Sequence, residues 1–421
     1  MNHDARPDPR VGLTVVVLAG GAFVLLAALL VPWQWLPGQH VHAVPAASVF
    51  TEDQIAQHER ISWMFRRIGW ASLAVGLVVA LVLGLTRAGG RLVARVPGPW
   101  AVKVVLGSGA ISLVGTVAVL PLAARSQQID RDNGLSLQGW GSWLSDQGIA
   151  FAVAWVFTAV GVLALMVVAR KAPRTWPAWA ATGAAALAML GSFVYPVVVE
   201  PLFNNFTSMP AGPLRTEIFA LAKAEHVHVD DVLVADASRR TTTLNAYVSG
   251  FGSTRRVVVY DTVLSSLSDP EVEAIVAHEL GHAKHGDVLI GTALGALGSA
   301  FGIGLLGLLL ADRRLLRRAG ADGVGDPRAV PLLLALVAVG ALLASPVQNT
   351  ISRAIEARAD RTALETTGDS ATFIAMQREL SLRSLSDPTP PRLSQFWFGS
   401  HPTVLQRVGM AEQMAPTESR R

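Results

Sequence analysis

The chain has 421 residues, of which 51% are hydrophobic and only 16% charged, and its mean hydropathy is +0.41. Soluble domains carry about 25% charged residues, so this composition excludes an ordinary water-facing globule and points to a bilayer. The lack of cysteine excludes disulfides, thiolate ligands and a cysteine nucleophile, and the net charge of +4 reads as basic loops beside membrane spans rather than a nucleic-acid surface, since no Lys/Arg run is interleaved with aromatics.

Apolar stretches at 12–31, 69–87, 101–123, 149–169, 178–199, 288–311 and 329–347 predict seven spans. Each is of a length that suits a hydrocarbon core of about 30 Å. The first follows Arg6 and Arg10, as a signal peptide would, but its apolar run is too long for one. Trp33 and Trp35 then stand as interfacial aromatics, so an uncleaved anchor is expected. In the sixth span, Gly291/Gly295 and Gly298/Gly302 form GxxxG pairs. These mark either helix contacts or the general enrichment of glycine in membrane helices.

The chain is therefore expected to be a polytopic α-helical membrane protein with an α+β domain, and the HExxH run at residues 278–282 makes that domain zincin-like and catalytic. Residues 1–200 would form a membrane domain of five spans and 201–287 a catalytic region. Residues 288–348 would supply the last two spans, and 349–421 a C-terminal helical region. In the catalytic region, Asp231 to Ala235, Asn245 to Val248 and Arg256 to Tyr260 read as strands of a small hairpin or meander. A helix follows, with Ser268 or Asp269 as N-cap, Pro270 in its first turn and Glu271 after it.

That helix bears His278-Glu279-Leu280-Gly281-His282. Histidines at i and i+4 share one face, so both imidazoles reach one tetrahedral ion. Glu279 projects beside them, placed to act as general base on a metal-activated water. A catalytic zinc site needs a third protein ligand. Spans six and seven return the chain to the side it left, where Glu356 and Asp360 lie four apart on a predicted helix. Glu356 is assigned as third ligand to one Zn²⁺ and Asp360 as its outer carboxylate partner; the competing reading of each is a solvated helix charge. His285, three residues past His282, reads as a fourth ligand, an outer-shell group or an exposed side chain, and a fourth ligand would block the open position.

These segments resemble the CAAX prenyl protease 1 family of membrane metallopeptidases. The likeness rests on Pro201-Leu202-Phe203-Asn204, Asn245-Ala246-Tyr247, Val259-Tyr260-Asp261-Thr262, the HELGH helix, the Asn349 to Asp360 helix and Ser400-His401-Pro402, in the family's order. It departs at Ala283, where the family often has Trp. The resemblance implies zinc, a metal-activated water, Glu279 as base, Glu356 as third ligand and an enclosed chamber among the spans. It also implies a peptide or protein substrate paired with a strand edge bearing Asn245 and Ala246.

An oxyanion needs a further donor. His401 is the first candidate, with Arg407 as an oxyanion or substrate contact and Arg353 near Glu356; His401 reads equally as an ordinary loop residue. The cell membrane is the expected location. The short loops on the N-terminal side hold thirteen Lys/Arg against five opposite. That count puts the N-terminus in the cytoplasm and the zinc site outside, whereas the family resemblance suggests a cytoplasm-facing site. Two rival readings are a quality-control membrane protease of the same clan and a metal transporter. A transport site belongs near the bilayer midplane between broken helices, whereas this motif precedes a span.

Overall fold

The computed structural model describes residues 7–250 and 252–415. The first helix, α1 (Pro9–Leu30), starts behind an Asp8 cap. It is followed by α2 (Glu52–Leu85), the short α3 (Arg87–Ala94), α4 (Trp100–Asp132), α5 (Trp140–Lys171) and α6 (Trp176–Val194), which runs on through a π-helical turn at Tyr195–Val199. Exposed Leu13, Val17, Val24 and Leu25 on α1 show what these helices face. Such a surface is stable only against lipid.

The chain then builds a small sheet from β1 (Phe206–Ser208), β2 (Asp231–Ala235), β3 (Ala246–Ser249) and β4 (Arg256–Tyr260), with α7 (Pro213–Ala224) between β1 and β2. The strand order is β1-β2-β4-β3. β2 and β4 run parallel, with Leu233 opposite Val258, and β3 returns antiparallel on the far edge. The sheet is thus not the meander expected: β3 and β4 form a hairpin, but β4 inserts between β2 and β3. β1, three residues long, is too short to show a period of two.

Past α8 (Asp261–Ser266) stands α9 (Asp269–His285). Its start follows from local chemistry. Ser268 caps it, and Glu271 accepts from the Ser268 N–H at 2.9 Å. Its end is Gly286, in the left-handed region at φ 67°, where a side chain would be strained. Directly beyond come α10 (Asp287–Ala311), α11 (Arg314–Ala319), α12 (Val330–Thr367), α13 (Ser370–Ser384), α14 (Arg392–Phe398) and α15 (Val404–Met414).

Among the described residues, seven helices are long and apolar enough to cross a membrane, and the protein is a multi-pass membrane protein. α12 is one unbroken helix through residues 348 and 349, where the sequence suggests a division. Pro346 does not end it, and Thr350 Oγ1 donates to the Pro346 carbonyl at 2.7 Å. The expected glycine contacts also move. A Cβ added at Gly291, Gly295 or Gly302 would meet nothing within 4 Å. Gly304 and Gly307 instead press on α1 and Pro177. Backbone approach depends on which face of α10 meets α1, and the spacing of glycines does not carry that information.

The main core lies under the sheet. Val232, Val257 and Val259 pack with Val272, Val276 and Leu280 of α9, and with Phe373 and Met376 of α13. This core holds α9 between the sheet on one side and α12 on the other. A Cβ on Gly281 would stand 3.2 Å from Thr362 and 3.4 Å from the Ala359 backbone. Glycine there lets the two helices meet closely enough for α12 to reach the histidines.

Candidate metal centre

His278 and His282 lie on one face of α9, and α12 brings Glu356 against them. His278 Nε2 is 3.2 Å from His282 Nε2 and 3.3 Å from a Glu356 carboxylate oxygen. His282 Nε2 is 3.6 Å from the other oxygen. Tetrahedral coordination at zinc's usual bond lengths puts ligand atoms about 3.3 Å apart. The His278–His282 and His278–Glu356 separations fit that geometry, and His282 meets the carboxylate through its second oxygen. Glu356 Oε2 is buried without a hydrogen-bond partner, an unsatisfied acceptor that a cation would satisfy.

Each imidazole is held from behind. His278 Nδ1 lies 2.9 Å from Asp360 Oδ1, and His282 Nδ1 lies 2.9 Å from Asp287 Oδ2. A carboxylate accepting from Nδ1–H holds the ring proton there and leaves the Nε2 lone pair free for a metal. Each carboxylate is in turn clamped by an arginine. Arg407 Nε donates to Asp360 Oδ2 at 2.7 Å, and its Nη2 donates to Oδ1. Arg358 donates to Asp287 Oδ1. Sequence reasoning misses Asp287 and Arg358, because the first looks like a helix start and the second like a helix charge. The only cue is their spacing from the ligands, five residues after His282 and two after Glu356.

Burial opposes a charge on His278, but the carboxylates of Asp360 and Glu356 beside the ring outweigh it and push the pKa up to about 10. The same acceptors that favour a proton favour a divalent cation. Burial raises the Glu279 pKa, against the pull of the His278 and His282 charges. Glu279 lines a cavity of ≈ 350 Å³ together with His282, Tyr247, Val248 and Arg255. A carboxylate raised toward neutrality beside the His278 and His282 rings suits proton transfer.

The other predicted residues fall in different places. His401 Nε2 faces Glu356 Oε2 at 3.5 Å, with Ser400 Oγ 2.9 Å from Nδ1; its side chain is 58% exposed. Arg407, a candidate oxyanion or substrate contact, brings its Nη2 to 3.9 Å from Glu356 Oε2 as well as against Asp360. It lies part-buried behind His278, and its guanidinium pairs with Asp360, because a fully buried carboxylate needs a counterion. Arg353 also lies away from the ligand atoms. It donates to the Gln395 and Gly399 carbonyls and to Thr350 Oγ1, and so ties the loop before His401 to α12. His285 Nε2 sits 3.2 Å from Thr362 Oγ1, outside the ligand cluster. Among the described residues, the one group of ligand type is His278, His282 and Glu356.

β3 is the open edge of the sheet beside this cavity. The Asn245 carbonyl accepts from Tyr260 N at 3.1 Å, so the 245/260 pair is hydrogen-bonded. Alternation along an antiparallel pair then turns the backbone groups of Ala246 and Val248 outward. The Asn245 side chain is exposed, and the Ala246 side chain is buried.

The sequence of residues 209–415 matches the model of peptidase family M48, and residues 49–205 match that of the CAAX prenyl protease N-terminal domain with five membrane helices. The uncharacterized metalloprotease YhfN of Bacillus subtilis (strain 168) is 33% identical over 307 residues, covering 72% of each chain. The chain belongs to peptidase family M48. A CAAX prenyl protease 1 homolog of Oryza sativa subsp. japonica is 32% identical over 232 residues, covering 54% of this chain and 53% of that relative. The crystal structure of S. mikatae Ste24p has the same fold at a TM-score of 0.78 and 18% identity, covering 96% of this chain and 99% of that one. This M48 protein is a metalloprotease of the membrane, and its substrate is a peptide or protein.

Proposed function

We propose that the chain is a zinc-dependent metalloendopeptidase of the cell membrane, with His278, His282 and Glu356 as ligands and Glu279 as general base. The observation that carries this reading is the convergence of ligand atoms from His278, His282 and Glu356, all within 4.8 Å of one another, with Glu279 in the adjoining cavity. Zinc bound there would polarise the scissile carbonyl and lower the pKa of water toward about 7. Glu279 takes a proton from the attacking water and returns it to the leaving amine nitrogen. His401, exposed and facing the ligand carboxylate, is the donor best placed for the oxyanion. Asp360 with Arg407, and Asp287 with Arg358, hold the two rings in register.

A peptide would lie along β3 as an added strand, pairing with the backbone of Ala246 and Val248. Asn245 is placed to contact it by its side chain. Val248, Val288 and Leu289 line the same cavity and favour apolar side chains near the cleaved bond. The rival transport reading has little support, because the ligands stand on a helix packed against a sheet rather than between broken membrane helices.

The test pairs metal content with cleavage of a quenched fluorescent peptide in wild type and Glu279→Gln. About one zinc per chain in both is expected, with turnover only in wild type. Zinc in neither would sink the ligand assignment. Turnover in Glu279→Gln at the wild-type rate would sink the role of the base.

A further inference from the structure

The far end of α10 carries a second cavity. α10 runs from Asp287, beside His282, to Ala311, so at 1.5 Å per residue about 36 Å of helix separates the two regions. This second cavity, of ≈ 880 Å³, has an apolar wall of Leu308, Leu309 and Leu315. Its rim carries Arg87 from the start of α3, with Arg314, Arg317 and Arg318 from α11. Asp312 is the lone carboxylate lining it, 3.5 Å from Arg314. That pair is open to solvent on both sides, at 82% and 59% exposure, and so offsets little of the charge.

Arg87, Arg317 and Arg318 are exposed, and among the described residues they have no carboxylate partner. Arg328, nearby in the chain, is different: Asp322 and Asp326 neutralise it at 2.5 and 2.6 Å. The cavity rim therefore keeps an excess of positive charge at a membrane interface. Leu308 and Leu309 of its wall belong to α10, whose outer face meets hydrocarbon, with Leu309 49% exposed, and Leu315 comes from α11. An occupant must be anionic at one end and apolar at the other.

We infer that this cavity binds the headgroup of an acidic glycerophospholipid in the leaflet away from the metal centre. The phosphate is bridged by Arg314, Arg317 and Arg318, whose guanidiniums suit phosphate oxygens in pairs. An acyl chain lies against Leu309 and Leu315. Basic pockets between spans recognise such headgroups by this combination of charge and apolar wall.

The full-length wild-type protein in detergent is titrated with short-chain phosphatidylglycerol, phosphatidylcholine and inorganic phosphate, followed by thermal shift and native mass spectrometry. Each arginine near a headgroup contributes roughly fivefold in affinity, so phosphatidylglycerol is expected to bind at least about tenfold more tightly than phosphatidylcholine. R314Q/R317Q/R318Q should lose that preference while cleaving the quenched peptide at the wild-type rate. R314K/R317K/R318K keeps the charge but not the paired contacts, and should keep only part of the preference. Equal binding of the two lipids by wild type overturns the inference without recourse to any variant. So does a preference that survives the triple glutamine change. Inorganic phosphate that displaces phosphatidylglycerol at comparable concentration assigns the cavity to free anions and overturns the lipid reading.

Discussion

Asp287 Oδ2 lies 2.9 Å from His282 Nδ1, and Asp287 is also the residue with which the sixth membrane span begins. One carboxylate thus links the orientation of a ligand ring to the position of a membrane helix. Gly286 alone separates α9 from α10, so the span cannot shift without moving this contact. Asp287→Ala is expected to weaken zinc binding by about 10- to 100-fold, as read by competition with a chelator. Asp287→Asn, which keeps the shape and one acceptor, should lose less. An affinity within twofold of wild type in the alanine variant would show that the contact does not tune the ligand.

Two groups set separate pH dependences. Glu279 must be ionised to act as a base, and burial raises its pKa. Activity should therefore fall as pH drops through a value above the usual carboxylate pKa of about 4.3. Saturating zinc should not rescue this limb. His278 favours its proton up to a pKa of about 10, so protons compete with the metal below that value and zinc affinity should rise with pH. Chelator competition at several pH values checks the second effect, and kcat/KM at saturating zinc checks the first. A zinc affinity flat with pH would contradict the competition.

The register of β3 makes a positional prediction. Val248 presents its N–H to the open edge, whereas Tyr247 is paired with Val258. Val248→Pro removes that donor without touching a ligand. It should lower kcat/KM by about 10-fold or more, the loss of roughly 1.5 kcal/mol of binding that one hydrogen bond supplies, chiefly through KM. Zinc content should stay at the wild-type level. A peptide substrate that ignored the change would not be bound as an added strand.

Membrane orientation is open to a direct reading because the chain has no cysteine. Thr389, exposed on the metal-centre side, and Asp312, exposed at the opposite end of α10, are suited to single substitution. The excess of Lys/Arg at the Asp312 end predicts that it is cytoplasmic. A membrane-impermeant maleimide applied to intact cells should then label Thr389→Cys and spare Asp312→Cys. The reverse pattern would place the metal centre in the cytoplasm.

Much of this architecture is legible in the sequence because it rests on local properties. Span length follows from hydropathy, and all seven predicted stretches overlap the seven membrane-spanning helices. The start of α9 follows from Ser268, Pro270 and Glu271, residues adjacent in the chain. Strands β2 and β4 match their predicted bounds because their apolar runs are bracketed by turn residues. Their order in the sheet is not legible, since parallel pairing joins segments some twenty residues apart with no short turn to announce it.

What the sequence determined by itself was a membrane helical protein with two histidines one helical turn apart and a carboxylate brought back to them by an even number of spans. Those are consequences of residue spacing and of the thickness of a bilayer. Only the tertiary structure decided that Arg407 clamps Asp360 behind His278, that Asp287 and Arg358 form a second clamp on His282, and that Ala246 and Val248 offer their backbone to the cavity. The physical reason is that buried charges choose partners by proximity after α9, α10, α12 and α15 have packed, and a strand's open edge exists only once its neighbours are set.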